Sequence, residues 1–113
     1  MKFTDSITEN RVYKRMYARA KSVVCKNIVV YARQIPERGN MLGLTCSKAV
    51  GKAVCRNRAK RLMRESYRLC EDRLRRGMCI VIVARARAKD ADCAAVQRDF
   101  LYAASKLGFL KSE

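Results

Sequence analysis

The chain has no histidine, and its 113 residues include only 10 acids. A hydrolytic site borne by the protein would therefore have to be built from converging carboxylates. Asp90 and Asp92 are the one close pair of aspartates, in a stretch that reads as loop, and nothing suggests such convergence. Cysteine is present six times, at Cys25, Cys46, Cys55, Cys70, Cys79 and Cys93, but never as C-x-x-C. With no histidine to complete a ligand set, neither a zinc site nor a disulfide framework is indicated. Buried, reduced thiols in a cytoplasmic protein are the expectation. The longest apolar run, Met78 to Ala84, is far short of the ~20 residues that cross a bilayer. The opening MKFTDSITEN lacks the apolar core of a secretory signal. Internal repeats, low-complexity tracts and linkers are also missing, so residues 1–113 read as a single domain.

Positive charge is abundant. Lys and Arg number 26, for a formal net charge of +16. Such an excess repels itself in a compact chain, and a polyanion relieves it, because each neutralised phosphate also releases condensed counterions. Nucleic acid is the leading partner class, ahead of an acidic protein or an anionic membrane surface.

Periodicity supplies the elements. Residues 6–20, with Ser6 or Thr8 as a cap, place Val12, Tyr13, Met16, Tyr17 and Ala20 at helical spacing among cations. Ile28 to Tyr31 suits a strand; Gln34 to Asn40, with Pro36 and Gly39, suits a turn. MLGLTCS returns as a second strand, Leu42 and Leu44 on one face and Gly43 and Thr45 on the other, predicting a hairpin. A long helix is predicted from about Val54 to Arg75, ended by Gly77. Its apolar band is Cys55, Ala59, Leu62, Met63, Ser66, Leu69, Cys70 and Leu74; Arg56, Lys60, Arg61, Arg64, Arg68 and Arg75 lie opposite. CIVIVAR, Cys79 to Arg85, has the continuous apolarity of a central strand. A last helix, roughly Ala91 to Leu107, carries a stripe of Cys93, Val96, Phe100, Ala103, Ala104 and Leu107. The order α-β-β-α-β-α predicts a two-layer α/β (α+β) sandwich.

Two constellations carry chemistry. The first is KAVGKAVCRNRAKRLMRESYR, Lys48 to Arg68. Arginine forks and mobile lysines along one helical edge suit an irregular phosphate backbone, and Asn57 adds a neutral donor and acceptor. With only Glu71 nearby as compensation, the unliganded helix would repel itself at the i,i+4 pairs Arg56/Lys60 and Lys60/Arg64. The second is Tyr13 and Tyr17, one turn apart and flanked by Arg11 and Lys14, with Tyr31 on the first strand. These rings could stack on unpaired bases or pack as core, and spacing alone favours neither.

The run Gly51 to Arg61, continuing through Arg64 and Glu65, resembles the RNR signature of the bacterial ribonuclease P protein family. Its preceding turn is represented by Thr45 to Gly51, and the aromatic helix and apolar strand occur in the family's order. The resemblance implies a ribosomal-S5-domain-2-like fold with a left-handed βαβ crossover and a possible extra short strand. It implies that Lys48, Lys52, Arg56, Asn57, Arg58, Lys60, Arg61, Arg64 and Arg68 contact a catalytic RNA. It further implies that Arg11, Tyr13, Lys14, Tyr17 and Tyr31 hold the single-stranded 5′ leader of precursor tRNA. Chemistry would rest on the RNA subunit with Mg²⁺ there and at the RNA–protein interface, with no metal site on the protein and no obligate protein partner. Three positions depart from the family pattern: Ala49 for a lysine, Ala20 for a small glycine, and Cys79 for an acid. The rival readings are a structural RNA-binding protein of ribosomal type, without a role in cleavage, and a protein-only nuclease.

Overall fold

The computed structural model describes residues 1–111. Five strands form one sheet: β1 (Thr4–Ser6), β2 (Lys21–Val24), β3 (Ile28–Gln34), β4 (Asn40–Cys46) and β5 (Met78–Ala84), in the order β1-β4-β5-β3-β2. The helices are α1 (Asn10–Arg19), α2 (Ala53–Cys70) and α3 (Cys93–Leu107). The α/β class is as expected, with two short edge strands, β1 and β2, added to the expected order.

The hairpin is not formed. β5 lies between β3 and β4, antiparallel to β3 and parallel to β4. Pro36 and Gly39 mark where the chain turns, but pairing is decided by burial. MCIVIVA is apolar at every position, and only the centre of the sheet covers both of its faces. The parallel β4–β5 pair then needs a long crossover, which α2 supplies.

Strand alternation divides the apolar residues into two cores. Ile28, Val30 and Ala32 of β3, Leu42 of β4, and Ile80, Ile82 and Ala84 of β5 face α2 and α3. There they meet Ala59, Met63, Tyr67, Val96, Phe100 and Ala103, all buried, with Phe109 closing the end. On the other face, Cys79 and Val81 are buried beneath Ile7 and Met16, flanked by Val12, Tyr13, Tyr31 and Met41. Cys79 is therefore a small core residue, and burial pushes its thiol up from its ordinary pKa.

Three element boundaries differ from expectation. α1 begins at Asn10 after Glu9, which makes no side-chain cap, because residues 4–6 are drawn into the sheet. α2 ends at Cys70, and a 3-10 turn, Glu71–Arg73, follows. Gly77, with φ +84°, serves the turn into β5 instead of capping the helix. The buried side of α2 is Ala59, Met63, Ser66, Tyr67 and Cys70, so Tyr67 takes the place expected of Leu69, which is 51% exposed.

Tyr67 is turned inward because its hydroxyl has partners there. It lies 2.8 Å from the Thr4 hydroxyl and accepts from the Asn40 amide at 3.3 Å. Glu71, only 2% exposed, accepts from the Lys2 N–H at 2.7 Å, the Phe3 N–H at 3.3 Å and the Thr4 hydroxyl at 2.6 Å. Burial pushes its carboxyl up, but these donors outweigh burial and hold it below its ordinary value. Glu71 therefore anchors β1 against β4 and does not compensate the cations of α2, as its position in the sequence suggests.

Candidate nucleic-acid interface

The cationic edge begins in a turn. A 3-10 turn, Lys48–Val50, ends at Gly51 with φ +113°, a conformation that glycine adopts without a Cβ penalty. α2 then starts after Lys52, with no side-chain cap and no acid in its first turn. Its free N–H groups and positive dipole end thus coincide with Lys52, Arg56, Asn57 and Arg58, an arrangement unfavourable alone and relieved by an anion. Val54, 79% exposed, adds an apolar contact to the same rim.

The predicted cations are not equivalent. Arg56, Asn57, Arg61 and Arg64 are exposed, Lys60 is partly buried, and none of the four cations enters an ion pair among the described residues. Lys48 and Lys52 are exposed in the approach. Arg58 is committed to structure: its guanidinium donates to the Lys89 carbonyl at 2.6 Å and the Ala91 carbonyl at 3.1 Å. It thereby fixes the 3-10 segment Ala86–Asp90, bringing Arg87 and Lys89 beside α2, a grouping that linear sequence does not reveal. Arg68 is engaged with Glu65, its Nε donating at 3.0 Å, which leaves it less free for a phosphate. Arg75 is off the helix altogether.

The tyrosines come together across two elements. The ring centroids of Tyr13 and Tyr17 are 6.5 Å apart, and those of Tyr17 and Tyr31 5.1 Å apart in an edge-on arrangement. The choice left open by spacing resolves as a gradient: Tyr13 and Tyr31 are half-buried, whereas Tyr17 is 44% exposed. Tyr13 lies directly on β4 at Gly43, where a Cβ would come within 2.7 Å of its ring. A lone glycine inside a strand is the sequence signal for such close approach. Burial raises the pKa of both Tyr13 and Tyr17, partly offset by hydrogen bonding to the Leu44 main chain and to the Thr45 side chain respectively. Both hydroxyls stay protonated and can donate.

Asn10, Tyr13, Lys14, Tyr17, Leu44 and Thr45 line an open cleft of ≈ 390 Å³. Asn10, Leu44 and Thr45 are additions to the predicted set. Arg11 instead pairs with Glu9 on the exposed side of α1, and Tyr31 borders the cleft through its contact with Tyr17. The cleft and the cationic edge are continuous: Thr45 lines the first, and the next residue, Cys46, has its Sγ 3.5 Å from the Arg56 carbonyl.

Among the described residues, no group of three or more Cys, Asp or Glu side chains could hold a metal ion. The residues present therefore do not fit a protein-held Mg²⁺. No helix is long and apolar enough to cross a membrane.

These features define a class, a small basic α/β protein in which an uncapped cationic helix runs into an aromatic cleft on the open face of a sheet. The chain belongs to the ribonuclease P protein family: the family model described as Ribonuclease P matches residues 1–108. It is 33% identical over 112 residues to the ribonuclease P protein component of Alkaliphilus oremlandii, covering 99% of this chain and 98% of that one. With the Clostridium botulinum component it shares 36% over 105 residues, or 92% and 95% of the two chains. The Staphylococcus aureus RNase P protein structure superposes with a TM-score of 0.81 at 27% identity, covering 94% of this chain and 97% of that one. The Thermotoga maritima RNase P protein, at 24% identity and a TM-score of 0.77, covers 87% and 93% and shares the fold.

Proposed function

We propose that this chain is the protein subunit of ribonuclease P, acting in the cytoplasm to support removal of the 5′ leader from precursor tRNA. The cationic edge of α2, with Lys48, Lys52, Arg56, Asn57, Lys60, Arg61 and Arg64, binds the catalytic RNA. Arg58 shapes that surface by holding Arg87 and Lys89 beside it. Tyr17 stacks on an unpaired leader base, with Tyr13 and Tyr31 setting its ring and Lys14 meeting the backbone. Mg²⁺ is held by RNA, which carries the hydrolysis; the protein supplies positive potential and grip.

The observation that carries this reading is the continuity of the two surfaces, Thr45 in the cleft and Cys46 against the first turn of α2. A strand leaving an RNA bound at the helix enters the cleft directly. Stacking on an exposed aromatic contributes about 1 to 3 kcal/mol per base and tolerates any sequence. That suits leaders that differ between precursors.

Reconstitution tests the reading. The purified protein alone should not cleave precursor tRNA, and adding the catalytic RNA should restore cleavage at physiological Mg²⁺. Tyr17→Ala should then weaken precursor binding about ten-fold or more and leave mature tRNA unaffected. Cleavage by the protein alone, or equal loss for both tRNAs, overturns the proposal.

A further inference from the structure

At the end of the sheet away from the α2 N-terminus lies a second concavity, unrelated to either surface described above. Its volume is ≈ 740 Å³, and the charged residues lining it are Arg19, Lys21, Arg33, Arg75, Arg76 and Lys111. Six of the 26 cations thus meet in one cavity, while none of the 10 acids lines it. None of the six enters an ion pair among the described residues. Asp72, the acid whose carboxyl senses Lys111, is already bound by Lys2 at 2.9 Å.

These cations do not share one solvated helix face. They come from the α1–β2 junction, the end of β3, the turn before β5 and the segment after α3, and main-chain bonds lock those segments together. The Arg75 N–H donates to Phe109 O and the Lys111 N–H to Arg73 O, both at 2.8 Å. The Arg76 guanidinium is seated 4.5 Å above the Phe3 ring, which leaves its N–H edge available. Fixing like charges around a hollow costs electrostatic energy that nothing in the fold returns, so the arrangement is explained by an anionic ligand.

Strand register places the cavity on the path of RNA. Ile28 pairs with Ala84 at the α2 end, and Gln34 with Met78 at the cavity end. Tyr31, Val81 and Gly43 form one row across the middle, where the tyrosines sit. Arg33 follows Tyr31 on the same face of β3, about 7 Å farther along, and Arg19 follows Tyr17 by two residues. A strand running from the α2 end past the tyrosines therefore arrives at Arg33 and Arg19.

We infer that this cavity binds phosphodiester groups of the leader beyond the nucleotides in the tyrosine cleft, a third RNA-binding surface that rewards long leaders. The inference rests on the reading of that cleft as a leader site.

The test uses holoenzyme carrying Lys21→Gln, Arg33→Gln and Arg75→Gln together, with circular dichroism and melting confirming the fold. Precursors with a leader that ends at the tyrosines, or one that extends well beyond them, are compared. Wild-type holoenzyme should bind the long-leader precursor more tightly, and the triple variant should lose that advantage while binding the short-leader precursor as before. The log–log salt slope for the long leader should fall by about 0.7 for each phosphate that is no longer neutralised. Absence of a long-leader advantage in the wild type, or its persistence in the triple variant, overturns the inference. Weaker affinity for the catalytic RNA with no dependence on leader length assigns the phosphates to that RNA and also overturns it. Tyr17→Ala separates the levels: if it weakens both precursors while the triple variant changes neither, this inference falls and the leader reading stands.

Discussion

The two faces of one sheet are built on opposite plans. Beneath α2 and α3, Ile28, Val30, Ile80 and Ile82 meet Phe100, Tyr67 and Met63 with essentially no exposure, and Phe100 packs on the rings of Tyr67 and Phe109. Over the other face α1 is only ten residues long and buries one of them, Met16. Its remaining cover is amphipathic: Tyr13, Tyr17 and Tyr31 pack by their rings and keep polar tips near solvent. Alternate residues of the same strands thus serve stability and recognition separately, so each face can be changed with limited effect on the other.

The largest effect that would sharpen this comparison is Phe100→Ala. It should destabilise the protein by about 3 to 5 kcal/mol, read by urea or thermal unfolding, because the cavity opens in the closed face. A loss below about 1 kcal/mol would show that this face is as loosely packed as the other.

Glu71→Gln comes next, at about 1.5 to 3 kcal/mol, since hydrogen bonds to a buried charge are weakened. Its pH dependence is diagnostic. The carboxyl is held below its ordinary value, so its stabilisation is complete above the unfolded carboxylate pKa of about 4.3 and is lost as pH falls through the lower folded value. Wild-type stability should decline through that acidic window, and Glu71→Gln should decline less; equal slopes would show that the carboxylate does not anchor β1.

Gly43→Ala should have the smallest effect on stability, about 1 kcal/mol or somewhat more, because the added methyl meets a ring that can swing outward instead of a closed core. Precursor affinity should fall with it, as Tyr13 leaves its seat and Tyr17 loses its neighbour. A stability loss matching that of Phe100→Ala, with binding intact, would break the division between the faces.

Much of this was legible in the sequence because period and charge are local properties. The stripe of α3, the alternation of β4 and the central character of β5 follow from side-chain spacing alone. The family resemblance rested on the ordered run around Arg56, Asn57 and Arg58. What spacing does not carry is partnership. Tyr67 and Leu69 are both plausible on the buried side of α2, and Thr4 and Asn40, remote in sequence, decide between them. Glu71 looks like a helix counter-charge until the N-terminal strand arrives to claim it. Arg58 looks like its neighbours, yet two carbonyls of a distant loop occupy it. The cavity around Arg33 and Arg75 has no motif at all, since its cations come from four separated stretches.

The place of β5 between β3 and β4 also orders events in time. As the ribosome releases the chain, β3 and β4 emerge with no partner for each other, and the strand that joins them follows more than thirty residues later. Non-local pairing of this kind slows folding. Until Met78–Ala84 appears, a strongly cationic nascent segment has no sheet to settle into, and it waits in a cytoplasm full of RNA.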